Sequence, residues 1–168
     1  MDIDDGTKVI LISSDSKRFE ISAKAAMRSE IIKESILDSK EDEIEFNVNK
    51  VNGDILKKIV EYLEHYKNEE PKEVERPLKS KDFKECVNEF DYQFVSKIGN
   101  YEELKNLILS ANFLNIKPLI NLLSAYIAHK IKGINTSTIR NTFNIKELNK
   151  QEQKQFDEDK AIIEKKEF

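Results

Sequence analysis

Two histidines, His65 and His129, and one cysteine, Cys86, are the residues of this chain whose types most often carry nucleophilic or metal chemistry. A zinc site or an activated thiol needs such groups at set spacings: an HExxH pair on one helix face, a CxxC pair, or a cysteine beside a base. None of these spacings can be written here. The histidines fall in separate helical stretches, and Cys86 stands in no motif that marks a nucleophile. Lone surface or capping histidines and a partly buried, inert thiol are the readings that fit. The four glycines, Gly6, Gly53, Gly99 and Gly133, are isolated, so neither a P-loop nor a dinucleotide fingerprint exists. Carboxylates are too numerous to mark a site. No catalytic, cofactor or metal residue is assigned, and the chemistry expected is binding.

Binding chemistry needs apolar groups that a single core does not use. Residues 101–115, read at 100° per residue, place Leu104, Leu107, Ile108, Ala111 and Leu114 in one stripe, an ordinary core face. Leu109 and Phe113 fall nearly opposite it, with Asn112 between. Two readings stand side by side: a partner surface, or a central helix buried all round. In 117–131 the stripe of Leu119, Leu123, Tyr126 and Ile127 is widened by Ile120 and Ile131, enough to pack on two neighbours. The last segment, 150–166, has few apolar residues, Phe156, Ala161, Ile162 and Ile163 before the terminal Phe168. So little apolar surface hardly offsets an ordering cost of about 1–2 kcal/mol per residue. This tail is expected to fray alone and to order on a partner.

The elements that position these faces follow from local pattern. Lys8–Ile12 reads as a buried strand, Ser13–Ser16 as a turn, and Lys17–Ile21 as a returning hairpin strand. Ser22 is a candidate cap for a short helix to Arg28, a second covers 29–38, and Glu43–Phe46 is a third strand. Asn52 or Asp54 can cap a helix running to about Tyr66. Residues 67–84 lose all periodicity, carry Pro71 and Pro77, and are expected to form a flexible loop. Helices are expected over 86–97, 101–115, 117–131, 136–144 and 150–166. Asn100 caps the second of these, Pro118 opens the third and Gly133 ends it.

The chain has 168 residues, 36% charged with a net of -4. One domain with a substantial core is the prior. A single cysteine excludes an internal disulfide. No apolar run approaches the roughly 18–20 residues of a membrane span. Met1-Asp2-Ile3-Asp4-Asp5 lacks the order of a signal peptide. Lysines are interleaved with glutamates rather than clustered, so nucleic-acid binding is not expected. Cytoplasm and nucleus are the expected setting.

Longer motifs then become recognisable. Asn52-Gly53-Asp54-Ile55-Leu56-Lys57-Lys58-Ile59-Val60-Glu61-Tyr62 resembles the "ILKKVI" helix of the Skp-type adaptor of Skp–cullin–F-box (SCF) ubiquitin ligases. Leu107-Ile108-Leu109-Ser110-Ala111-Asn112-Phe113-Leu114-Asn115-Ile116-Lys117 resembles that family's "LILAANYLDIK". Ile131-Lys132-Gly133 resembles "IKG", and Ile139-Arg140-Asn141-Thr142-Phe143-Asn144-Ile145 resembles "IRKTFNI". Ser13-Ser14-Asp15 matches as well, and the order agrees from about residue 8 to 165.

The resemblance implies an α+β, mostly helical BTB/POZ-type fold with a small β-sheet, over 1–131, and a C-terminal F-box-binding extension over 132–168. It implies a non-catalytic adaptor that needs no cofactor. Its partners would be F-box proteins and the N-terminal region of a cullin, with a weak homodimer when no F-box is bound. The cullin contact falls on Asn112 and Phe113 with Leu109. The F-box contact falls on Leu123, Ile127, Ile131, Ile139, Phe143, Ile145 and Ile163. A related POZ adaptor of elongin-C type, serving another receptor class, is the alternative. Three positions depart from the family pattern. The tail's tryptophan aligns with Ile162, the proline of "TPEEIR" with Thr136, and Trp-Asp before the "LIL" helix with Phe90-Asp91.

Overall fold

The computed structural model describes residues 8–38, 43–143, 145–146 and 148–164, and the side chains of these up to Ile162. It divides into two compact units, one ending at Lys132 and one beginning at Gly133. In the first unit the described strands are β1 (Lys8–Ser13), β2 (Arg18–Ser22) and β3 (Glu43–Val48). They form one sheet in the order β2-β1-β3. The Ser13–Ser16 turn lets β2 return antiparallel, with Leu11 opposite Phe19. β3 joins parallel, with Leu11 opposite Phe46. That parallel step needs a crossover, supplied by α1 (Ala23–Ala26) and α2 (Glu30–Asp38).

The central β1 strand alternates in exposure, with Val9, Leu11 and Ser13 buried. Onto the sheet pack α1 and α3 (Gly53–His65), α5 (Tyr101–Phe113) packs on α3, and α6 (Lys117–Ile131) packs on α5 and on α4 (Glu89–Ser96). α3 forms because Asn52 takes the Ile55 N–H at 3.0 Å and Ile55, Leu56, Ile59, Tyr62 and Leu63 fall on one buried side. Ser22 departs from its expected role. Its side chain makes no capping hydrogen bond to α1, while its N–H donates to Glu64 at 2.6 Å. Burial alone would raise the Glu64 carboxyl, but the hydrogen bonds from Ser22 and Lys67 outweigh it and hold the group below its ordinary value.

One polar knot ties the hairpin to α3. Asp15 accepts from Ser13 Oγ at 2.7 Å and from the Gly53 N–H at 2.6 Å. Lys17 Nζ stands 3.1 Å from Asp15 and 3.0 Å from Asp54. The Ser13 hydroxyl, Lys17 and the Gly53 N–H together lower the Asp15 carboxyl from 3.8 to about 2. A lowered folded-state value contributes stability that is full above 3.8 and is lost as pH falls toward about 2. Urea unfolding across that window should therefore show a shallower acid loss for Asp15→Asn than for the natural chain. Equal slopes would remove the knot from the acid response.

Of the expected loop 67–84, residues 67–82 have no helix or strand, but the stretch is anchored at its middle and near its end. Val74 and Phe83 are buried in the core, and Arg76 donates to Asn121 at 2.6 Å. A 3-10 turn at Phe83–Glu85 follows, and α4 starts at Glu89, later than expected, because Asn88 takes the Asp91 N–H as a cap. Phe90 stacks on His65 with ring centroids 3.4 Å apart. Asp91 is buried and accepts from Tyr66 Oη at 2.9 Å and Asn88 Nδ2 at 3.0 Å. Burial raises its carboxyl, against the effect of those hydrogen bonds. The Phe90-Asp91 departure thus keeps an aromatic and a buried carboxyl in the packed layer.

The second unit holds α7 (Thr136–Thr142) and α8 (Lys150–Glu164). Gly133 opens it at φ +78, a conformation that suits glycine. α7 begins where Asn135 takes the Thr138 N–H at 2.8 Å. α8 is a continuous helix, where fraying was expected. Asn149 accepts from the N–H groups of Gln151 and Glu152, and Glu152 accepts back from the Asn149 N–H at 2.9 Å. That reciprocal capping box satisfies donors that would otherwise open the end. Gln153–Asp157, Gln155–Asp159 and Lys154–Glu158 add i,i+4 pairs. The expected helix end at Asn144 and the tail's 165–168, including Phe168, lie outside the described residues.

Candidate functional site

The first candidate surface is built at the C-terminal end of α5. The helix starts cleanly because Asn100 takes the Glu103 N–H at 2.9 Å and Glu103 takes the Gly99 N–H at 2.7 Å. The Gly99 N–H and Lys58, 3.1 Å away on α3, hold the Glu103 carboxyl below its ordinary value. The helix ends in a Schellman motif. The Ile116 N–H reaches the Ala111 carbonyl at 2.9 Å and the Asn115 N–H reaches Asn112 at 3.1 Å. Asn115 takes φ +51, which asparagine tolerates. Ser29 Oγ donates to the Leu114 carbonyl at 2.6 Å, and Glu30 of α2 accepts from Asn115 and from Lys117. The last turn is therefore fixed from both sides.

On that turn Leu104, Leu107, Ala111 and Leu114 are buried, as their stripe predicts. Leu109 is 56% exposed, Asn112 is exposed and Phe113 is half-buried. The helix is not buried all round, which removes one of the two readings left open. Leu109, Asn112 and Phe113 line one groove of about 600 Å³ together with Ser14, Lys50, Asn52, Ile55, Asn106 and Ser110. Lys50 Nζ stands over the Phe113 ring, 5.3 Å from its centroid. The sequence pattern did not find Lys50, Asn52 or Asn106 as neighbours of Phe113. Only the packing of α3 against α5 brings the β3–α3 turn beside the end of α5.

The second set of candidates is not uniform. On α6, Leu123 is 0% exposed and sits in the core beside Leu119 and Leu122. That corrects its assignment to a partner surface. The stripe of Leu119, Leu123, Tyr126 and Ile127 does not include Leu122, and the partner role of Leu123 comes from the family resemblance, which does not register that this side chain points inward. Ile127 and Ile131 are half-buried on the same helix. Within the second unit, Ile139 and Phe143 are half-buried, and Ile145 is 52% exposed with its N–H on the Arg140 carbonyl at 2.9 Å. α7 buries no residue. On α8, Phe156 and Ile162 are 52% and 54% exposed. Ile163 lies in that helix, with its side chain outside the described residues.

His65 is stacked on Phe90 and His129 lies 5.3 Å from Phe83, so neither faces the other or Cys86 as a metal set. Among the described residues no cluster of His, Cys, Asp and Glu could hold a metal ion. No helix of the described residues is long and apolar enough to cross a membrane.

Two family models match the chain. Residues 7–68 match the Skp1 family tetramerisation domain, a POZ model, and residues 117–162 match the Skp1 family dimerisation domain. A similar protein from Tetrahymena thermophila, named S-phase kinase-associated protein 1 homolog, is 41% identical over 140 residues, 83% of this chain and 82% of its own length. Suppressor of kinetochore protein 1 of Schizosaccharomyces pombe is 34% identical over 145 residues, 83% of this chain and 86% of its own length. A protein of Arthroderma benhamiae named E3 ubiquitin ligase complex SCF subunit sconC is 33% identical over 138 residues, 82% and 83% of the two lengths.

Proposed function

The chain belongs to the Skp1 family, and from that premise we propose that it is the adaptor linking F-box substrate receptors to a cullin scaffold in an SCF-type ubiquitin ligase. The observation that carries this reading is the separation of two kinds of surface. A groove at the end of α5 is assembled on the POZ-type unit, while the extension displays apolar residues on helices that bury little of their own. The elongin-C alternative is not favoured, because 117–162 matches the Skp1 family dimerisation domain.

In this reading the adaptor carries out no reaction and needs no cofactor. Leu109, Asn112 and Phe113 meet the cullin N-terminal region. Ile127 and Ile131 of α6, with Ile139, Phe143, Ile145 and Ile163 of the extension, meet the F-box. The POZ-type part, over 1–131, carries the cullin contact and the end of α6, and the extension over 132–168 completes the F-box contact. When no F-box is bound, the same apolar residues support weak self-association. The protein acts in cytoplasm and nucleus, and its net charge of -4 disfavours non-specific binding to nucleic acid or anionic membrane.

The F-box side is tested with Ile139→Asp/Ile145→Asp. Ile145 is exposed and Ile139 only half-buried, so the fold tolerates the change while a desolvated carboxylate in the interface does not. F-box affinity should fall by about 100-fold, on the order of 2.7 kcal/mol, with cullin affinity unchanged in the same calorimetric titrations. Unaltered F-box affinity would remove the extension from that contact.

A further inference from the structure

The groove at the end of α5 has an electrostatic asymmetry. Among the described residues that line it, Lys50 is the only charged one, and none is a carboxylate. Lys50 is exposed and makes no ion pair with a described residue. Asp15 of the hairpin turn and Asp54 of α3 are both engaged by Lys17. The Phe113 ring lies under the Lys50 ammonium at 5.3 Å, a cation–π contact that holds the charge in the groove that Leu109 and Asn112 also line. The groove therefore offers one uncompensated positive charge next to an apolar floor, on a chain whose net charge is negative.

The geometry points to Lys50 as a specificity-determining contact of this groove, pairing with a carboxylate that a cullin N-terminal helix presents beside the apolar side chain it seats on Leu109 and Phe113. The inference rests on the cullin reading of this surface and adds the partner's chemistry to it. A neutral or basic residue in place of that carboxylate would meet an ammonium with no local counter-charge. Lys50 thus discriminates among partner helices of equal hydrophobicity.

The full-length chain is titrated with a cullin N-terminal region at low and high salt, as the natural protein and as Lys50→Met, Lys50→Arg and Lys50→Glu. Lys50→Met should bind about threefold more weakly at low salt and lose most of the salt dependence. Lys50→Arg should bind like the natural chain. Lys50→Glu should weaken binding by about tenfold or more, and reversing one acidic residue of the partner helix to Lys should restore it. F-box affinity and melting temperature serve as folding controls and should not move. If all four proteins bind the cullin equally while a change at Phe113 abolishes binding, the Lys50 pairing is wrong and the cullin surface stands. If the natural chain fails to bind, both fall. Tighter binding by Lys50→Glu would mean that the groove receives a cation, which also overturns the pairing.

Discussion

Asn112→Lys/Phe113→Lys should abolish binding of a cullin N-terminal region, weakening it by about 100-fold or more, and leave F-box affinity within about twofold. The effect is large for two additive reasons. Phe113 supplies the aromatic floor of the groove, and aromatic anchors of this kind dominate interface energies. The two new ammonium groups would also stand beside Lys50, in a groove whose described lining residues include no carboxylate, so a docking partner would have to desolvate unpaired like charges. The fold should survive, because Asn112 is exposed and Phe113 only half-buried. The Schellman turn that follows depends on backbone groups of Ala111 and Asn112 rather than on these side chains. Parallel titrations against both partners check the result. Loss of both activities would mean that the variant unfolds or that the two surfaces are one.

The opposite pattern is expected for Leu123→Ala. Leu123 is 0% exposed on α6 and packs with Leu119 and Leu122, so truncation opens a cavity that the surrounding helices cannot fully close. The loss should be about 2–5 kcal/mol of unfolding free energy, a large part of the roughly 5–15 kcal/mol that such domains possess. Urea denaturation reads it directly. Cullin and F-box binding should then decline together, in step with the folded fraction, and both should recover at lower temperature or with an added stabilising osmolyte. A variant of unchanged stability that loses only F-box binding would return Leu123 to the partner surface.

These two residues show what was legible in the sequence and what was not. The off-core position of Leu109 and Phe113 follows from helical periodicity alone, because α5 packs one stripe against a core and the opposite side must face something else. The family resemblance gives Leu123 to the partner surface, whereas periodicity groups it with Leu119. A stripe as broad as that of α6 does not say which of its apolar residues points inward, and the burial of Leu119, Leu122 and Leu123 decides the matter. The strands and helix order were readable because alternation, caps and turn residues are local. Lys50 was not, since its position over Phe113 is made by tertiary packing of the β3–α3 turn against α5. Nor was the anchoring of 67–82. Val74 and Phe83 are single buried residues in an aperiodic stretch, and periodicity cannot register an anchor that occurs once. The capping box at Asn149 and Glu152 was available in the sequence, and its spacing would have signalled the start of α8.

Bridging is the property on which everything else depends. An F-box protein fixed to a surface should capture a soluble cullin N-terminal region only when the natural chain is added. Capture should be lost with Asn112→Lys/Phe113→Lys, although that variant still loads onto the F-box, and with Ile139→Asp/Ile145→Asp, although that variant still binds the cullin in solution. Capture of the cullin without the chain, or undiminished capture with both variants, would contradict an adaptor with two separate docking surfaces.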